Sequence, residues 1–337
     1  MIKKILLALI ASVALSACHK TEKWDADVYG NFDALWTIID EHYCFFDQKD
    51  IDWDAVYSKY HKRLGDEMTA REFFDICSDM LAELKDGHVN LSSSFDVSYY
   101  RNWWSDYPQN YDSRLIEQYY LDFDYSSASG MKYAVLPQNV GYINYQSFSY
   151  MVGEGALDAI LYSFSPCRGL IIDIRDNGGG DMTNVETIVR RFIDEKILAG
   201  YISHKTGPGH SDFSKPYAYY FDPAPAGRRR WLKPVVVLTN RSTFSAANNF
   251  VSIMKLLPNV KIVGDRTGGG SGMPFSSEIP CGWGVRFSAC SVLDALGQST
   301  ESGIEPSPGC KVDLDPVKAL QGTDTMLDKA IEVLLGE

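Results

Sequence analysis

From about residue 131 to residue 264 the chain alternates short apolar runs with segments whose apolar residues recur every three or four positions. No other feature constrains its fold as strongly. The runs at 140–145, 170–175, 197–203, 234–240 and 260–264 have the length and β-branched content of buried strands. Helical spacing follows at 155–164 and at 181–193, where Val185, Ile188, Val189 and Phe192 share one face, and again at 325–335. Residues 272–293 read as further strands joined by glycine-rich turns. Repeated strand–helix units of this kind build an α/β fold around a largely parallel sheet.

The front of the chain has a different period. Phe32, Leu35, Trp36, Ile39 and Tyr43 form a helical stripe, a second helix is expected at 52–64, and a third starts at the N-cap candidate Thr69 and runs through Phe73, Cys77, Met80 and Leu84. The reading is a small helical subdomain at 31–86 followed by an α/β core at 87–337. Residues 95–125 are crowded with Tyr, Trp and Asp and lack periodicity; such aromatics either line a binding groove or pack the two subdomains together. The stretch 204–231 carries four prolines and three glycines and reads as a long substrate-side insertion.

Residues 1–17 combine Lys3 and Lys4, a short apolar run and the ending Leu15-Ser16-Ala17, the pattern of a signal peptide too short to be a membrane span. Leu15-Ser16-Ala17-Cys18 resembles the lipobox of bacterial lipoproteins. That implies cleavage before Cys18, acylation of its thiol, a lipidated tether at 18–30 and a place in the envelope of a Gram-negative bacterium, with His19 favouring the outer membrane. Removing the leader takes the formal charge from −12 to −14, which disfavours nucleic acid as a partner. No Cys-x-x-Cys pair occurs, so a zinc site is disfavoured. Cys44 and Cys77 read as buried thiols, while Cys281, Cys290 and Cys310 have room for one disulfide among them.

Four local signals carry chemistry. Ser245 lies between the run at 234–240 and a helical pattern through Phe250, Ile253, Met254 and Leu257. A serine at a helix start is commonly an N-cap; it is also placed to act as a nucleophile beside unpaired N–H groups that hold an oxyanion. His88, in Asp86-Gly87-His88, is a candidate general base or a structural histidine. Asn177-Gly178-Gly179-Gly180 follows a strand and precedes a helix, so it is a flexible turn or an oxyanion loop; it lacks the spacing of a phosphate loop. Glu305, in Gly303-Ile304-Glu305-Pro306, has a backbone fixed by the following proline and is a surface glutamate or a group that orients His88. His204 and His210 flank a Gly-Pro-Gly turn without a third metal ligand in sight.

The stretches Ile172-Asp173-Ile174-Arg175-Asp176-Asn177-Gly178-Gly179-Gly180, Asn240-Arg241-Ser242-Thr243-Phe244-Ser245-Ala246-Ala247 and Val263-Gly264-Asp265-Arg266-Thr267-Gly268 together resemble the tail-specific, or C-terminal processing, serine protease family. Asp86-Gly87-His88 and Gly303-Ile304-Glu305-Pro306 are similar to its tricorn-like and retinoid-binding-protein-like branch. The resemblance implies a crotonase-like ββα core and hydrolysis of peptide bonds in unfolded or C-terminal polypeptide. It also implies that no metal or organic cofactor takes part. Ser245 is then the nucleophile, His88 the base and Glu305 the third member, with the N–H groups of Ala246 and of Gly178 or Gly179 as the oxyanion hole. Three departures qualify the match. The lysine of the serine–lysine members is replaced by Gly270. The interval from His88 to Asn177 is too short for a PDZ domain. The position before the histidine, a relaying serine in the tricorn-like arrangement, is Gly87. Two other functions stay open on the same fold: a non-catalytic binder of peptides or apolar ligands, and an acyl-CoA enzyme, which the signal peptide disfavours.

Overall fold

The computed structural model describes residues 24–336, so the signal-peptide and Cys18 expectations lie outside the described residues. Four helices open the chain: α1 (Val28–His42), α2 (Phe46–Lys49), α3 (Trp53–His61) and α4 (Ala70–Ala82). Thr69 caps α4 in a reciprocal capping box with Glu72, as its position before a Glu three residues on leads one to expect. Strand β1 (Asn90–Ser92) follows, then α5 (Asn102–Ser105) and α6 (Ser113–Tyr119), both within the segment expected to be irregular. The chain continues through β2 (Ser126–Ala128), β3 (Met131–Leu136), β4 (Val140–Tyr145), α7 (Glu154–Ser163), β5 (Gly169–Asp173) and α8 (Met182–Val189). Next come β6 (Ile197–His204), β7 (Tyr217–Phe221), β8 (Val235–Thr239), α9 (Ala246–Met254), β9 (Val260–Gly264), β10 (Gly272–Glu278) and β11 (Gly284–Leu293). Two helices, α10 (Pro316–Leu320) and α11 (Thr325–Leu335), close the described chain.

The strands form two sheets. One has the order β2-β3-β4-β5-β8-β9, antiparallel at its first three strands and parallel from β4 to β9. Its central strands β4, β5 and β8 are buried along their whole length, which is why they read as continuous apolar runs rather than as alternation. The other has the order β1-β11-β6-β7 with β10 also paired to β11, all antiparallel. This is a mixed α/β fold, and the interval from His88 to Asn177 is taken up by elements of these two sheets rather than by an additional domain.

Three apolar clusters hold the layers together. The largest lies between the parallel sheet and α7, α8 and α9; a second joins α1 to α4 with β11; the third packs α6 and α11 on the sheet's other face. Strand β7 lies inside the stretch expected to be an insertion, and it pairs with β6. The six described cysteines are all free thiols. The disulfide expected among Cys281, Cys290 and Cys310 does not form, because Cys310 is buried in the cluster beneath α11 while Cys281 and Cys290 lie in or beside β11 of the other sheet.

Candidate active site

The parallel strands deliver their loops to one edge, where an open α/β sheet binds ligands. Two of these loops, after β5 and after β8, are tied to each other. Asn240 accepts the N–H of Asp176 at 3.0 Å and donates to the Asp176 carboxylate at 2.7 Å. The Thr243 hydroxyl donates to the carbonyl of Ile174 at 3.0 Å, and the Phe244 N–H donates to that of Asn177 at 3.0 Å. Beneath them Arg175, fully buried, binds Asp173 at 2.6 and 3.0 Å and Asp324 at 2.8 and 3.1 Å. Asp324 in turn caps α11. This buried ion cluster links the end of β5 to the last helix.

Ser245 sits at φ 57° and ψ −122°. These are the angles of the first central residue of a type II′ turn, which glycine adopts freely and other residues only under strain. Its N–H is held by the carbonyl of Gly269 at 2.9 Å, and its carbonyl accepts from Asn249 at 3.0 Å. The hydroxyl makes no capping bond to α9, which removes the N-cap reading. It lies 2.9 Å from Nε2 of His88 instead. The fold thus brings together two residues 157 positions apart in the chain.

Gly179 explains why a glycine is needed beside this serine. Its φ is +97°, and a Cβ there would lie 2.8 Å from the Ser245 Cβ and from the Ala246 nitrogen. Its own N–H donates to the Asn177 side chain at 2.9 Å. The N–H groups of Gly178 and Ala246 find no acceptor among the described residues. Of the three residues expected to donate to an oxyanion, these two have a donor to give. Gly179→Ala is expected to lower the rate of Ser245 acylation by about 10²-fold or more by forcing the loop off the serine. Fluorophosphonate labelling rates check this, and an unchanged rate would show that the loop is not in the site.

His88 is 2% exposed, and burial drives its pKa down to about 4, against the pull of Asp86. Its Nδ1 has no hydrogen-bond partner and lies 3.9 Å from the Asp86 carboxylate, beyond bonding reach. Asp86 accepts the backbone N–H of His88 at 2.8 Å, the hydroxyl of Tyr43 at 3.0 Å and that of Ser288 at 2.9 Å. Burial pushes the Asp86 carboxyl up, but Lys49, His88 and these hydrogen bonds hold it below its ordinary value. Lys49 lies 3.7 Å from Asp86 and 3.0 Å from Glu301. Burial and the neighbouring Asp86 raise Glu301 to about 7.

Glu305 is not part of this group. Its carboxylate is half exposed and pairs with Lys311 at 3.1 Å and with Arg266 at 3.8 Å. The proline after it fixes the backbone but does not aim the side chain. The glutamate the fold turns inward is Glu301, four residues earlier, whose second oxygen accepts the Ser271 N–H at 2.7 Å. Sequence reasoning missed Glu301, Lys49, Tyr43 and Ser288. Only Glu301 had a signal, its place in the same loop as Glu305. His204 and His210 also find non-metal partners: the first bonds Ser214, the second bonds Asp40 at 2.7 Å and stacks on Phe46.

Residues 95–125 divide between core and site. Tyr111, Leu115 and Ile116 are core, while Trp103 stacks on Phe244, the residue before Ser245, with centroids 4.3 Å apart. Two hollows lie near Ser245. One, of about 150 Å³, is lined by Ser245, Ala246, Met182, Asn249, Met273 and Val292 among others. The second is lined by Gly87, Phe244, Trp103 and Arg266 among others and shares no lining residue with the first.

The model of peptidase family S41 matches residues 139–307, and that of the tricorn protease C1 domain matches residues 25–82. The chain is 28% identical over 170 residues to the carboxy-terminal processing protease CtpA of Bacillus subtilis (strain 168), covering 50% of this chain and 34% of that protein. The chain therefore spans about a third of that relative's length. It is 51% identical to a putative peptidase from Parabacteroides merdae ATCC 43184 of known structure, with a TM-score of 0.87 over 92% of this chain and 98% of that one. Mature CPAF, at 13% identity and a TM-score of 0.70 over 92% of this chain and 98% of that one, shares the fold.

Proposed function

Given that this chain belongs to peptidase family S41, a family of serine peptidases, we propose that it hydrolyses peptide bonds with Ser245 as nucleophile and His88 as base. The observation that carries this reading is the 2.9 Å approach of His88 Nε2 to a serine hydroxyl held in a strained turn. His88 takes the hydroxyl proton as Ser245 attacks the peptide carbonyl. The oxyanion that forms lies toward the unpaired N–H groups of Ala246 and Gly178. His88 then gives its proton to the leaving amine, and water enters to release the acyl group. The imidazolium formed midway is stabilised by the buried carboxylate of Asp86, itself held by Lys49, Tyr43 and Ser288. Glu301, through Lys49, takes the supporting place that the family resemblance assigned to Glu305. The hollow lined by Met182, Met273 and Val292 suits an apolar side chain of modest size on the acyl side of the cut.

The substrates of this reading are unfolded or peptide segments in the cell envelope. Cys18 carries the lipid that tethers the domain there. No described helix is long and apolar enough to cross a membrane. The test is direct: the full chain, incubated with an unfolded protein, should generate new termini, and a fluorophosphonate should label Ser245. A folded protein that does neither would favour a binder on this scaffold.

The pH dependence has a definite sign. A general base must be neutral, and the buried His88 keeps its neutral form down to about pH 4. The acid limb of Ser245 labelling is therefore expected well below the ordinary histidine value of about 6.5, with most of the rate retained at pH 5.5. A half-maximal rate at pH 6.5 or above would mean that solvent reaches the imidazole and that the burial drawn above does not govern it.

A further inference from the structure

His88 and Ser245 meet through one hydrogen bond, and among the described residues no other hydrogen bond ties residues 86–88 to residues 243–245. Packing must therefore set their separation. The residues just before them, Gly87 and Phe244, both lie against one side chain, Trp103. Its indole stacks on the Phe244 ring with 23° between the planes, and that ring lies 4.7 Å from the His88 imidazole, centroid to centroid.

Glycines make room for this column. A Cβ at Gly87 would lie 2.7 Å from the Trp103 Nε1 and 3.0 Å from the Phe244 ring, and a Cβ at Gly268 would run into the far edge of the indole. Gly268 is itself tied to the nucleophile loop, its N–H donating to the carbonyl of Thr243 at 2.8 Å. Gly87 and Gly270 are also the two positions at which this chain lacks a side chain that the family pattern carries. The aromatic pair stands at both, since a Cβ at Gly270 would run into the Phe244 ring.

Trp103 reaches this slot from outside the core. Its helix, α5, has four residues, no side-chain cap and no buried residue. The indole N–H is buried without an acceptor, which costs stability, so the ring is seated by shape and not by hydrogen bonding. Resting on the peptidase reading, we propose that Trp103 is a positioning residue: its indole fills the slot over Gly87 and Gly268 and, through Phe244, holds the base loop and the nucleophile loop at bonding distance. Small errors in that distance are expensive, because a displacement of about 1 Å can cost about 10²-fold in rate.

The experiment uses the full chain and a peptide that it cleaves, found by scanning a proteome-derived peptide library. Trp103→Ala should lower kcat by about 10²-fold and leave KM within about threefold, the split expected when alignment rather than binding is lost. Fluorophosphonate labelling of Ser245 should slow in step, while the urea midpoint stays near that of the wild type. Trp103→Phe keeps a ring on Phe244 and should recover to within about tenfold of the wild-type kcat. Gly87 has ordinary backbone angles, so Gly87→Ala strains only the contact with the aromatic pair and should also slow hydrolysis. Added to Trp103→Ala, the same methyl finds space and should cost less than about twofold more. An unchanged kcat in Trp103→Ala, a loss carried by KM, a loss that follows a fallen urea midpoint, no recovery in Trp103→Phe, or additive losses in the double variant would each overturn the positioning role while leaving the peptidase standing. No cleavage in the library and no labelling of Ser245 in the wild type would overturn both.

Discussion

Ser245→Ala lowers the rate of peptide hydrolysis by an expected factor on the order of 10⁶ and abolishes fluorophosphonate labelling. His88→Ala should cost nearly as much, and the double variant little more. The two side chains act as one unit, so the second loss removes nothing that the first has left. The fold should survive in each case, because the serine hydroxyl and the imidazole Nδ1 satisfy no other buried group. Ser245→Gly separates strain from chemistry. It is equally inactive, yet relief of the positive φ should make it more stable than Ser245→Ala by about 1 kcal/mol, read from paired urea titrations. Residual hydrolysis within about tenfold of wild type in Ser245→Ala would place the nucleophile elsewhere.

The largest effect on stability is expected at Arg175. Arg175→Met leaves the carboxylates of Asp173 and Asp324 buried without their cation, a loss of about 3–5 kcal/mol. Both carboxylates keep some partners: Tyr142 donates to Asp173 at 2.9 Å, and the first N–H groups of α11 donate to Asp324. They can therefore remain in place but not cheaply ionised. The unfolding midpoint should drop, and Ser245 labelling should fall with it, because the loop that starts at Asp176 is built on this cluster. Arg175→Lys restores the charge without the paired geometry and should recover only part of the loss. A change below about 1 kcal/mol in Arg175→Met would show that the cluster is solvated and not the anchor of the glycine loop.

The proposed nucleophile and base stood out in the sequence as candidates because their signals are local. A buried strand, a short turn and a helix with a serine at the junction are written in consecutive residues, and so is the glycine run that must approach it. The supporting charges were not. Lys49 ends a helix of four residues and reads as an ordinary surface lysine. Glu301 and Glu305 are equivalent to any reading of periodicity, and the proline after Glu305 drew attention to the wrong one. Asp86 was visible beside His88, yet its bond to the backbone N–H of His88 rather than to the ring was not. The same limit applies to Arg175, which follows the apolar strand β5 and whose second partner, Asp324, lies 149 residues on.

Sequence alone determined the alternation of strand and helix and the helical front, because each follows from spacing along one stretch of chain, and the family resemblance singled out the two residues that meet. Only the tertiary structure decided which carboxylates and which cation gather behind the histidine. Burial removes water from a charge and makes its partner obligatory, and the partner can come from any part of the chain that packing brings near.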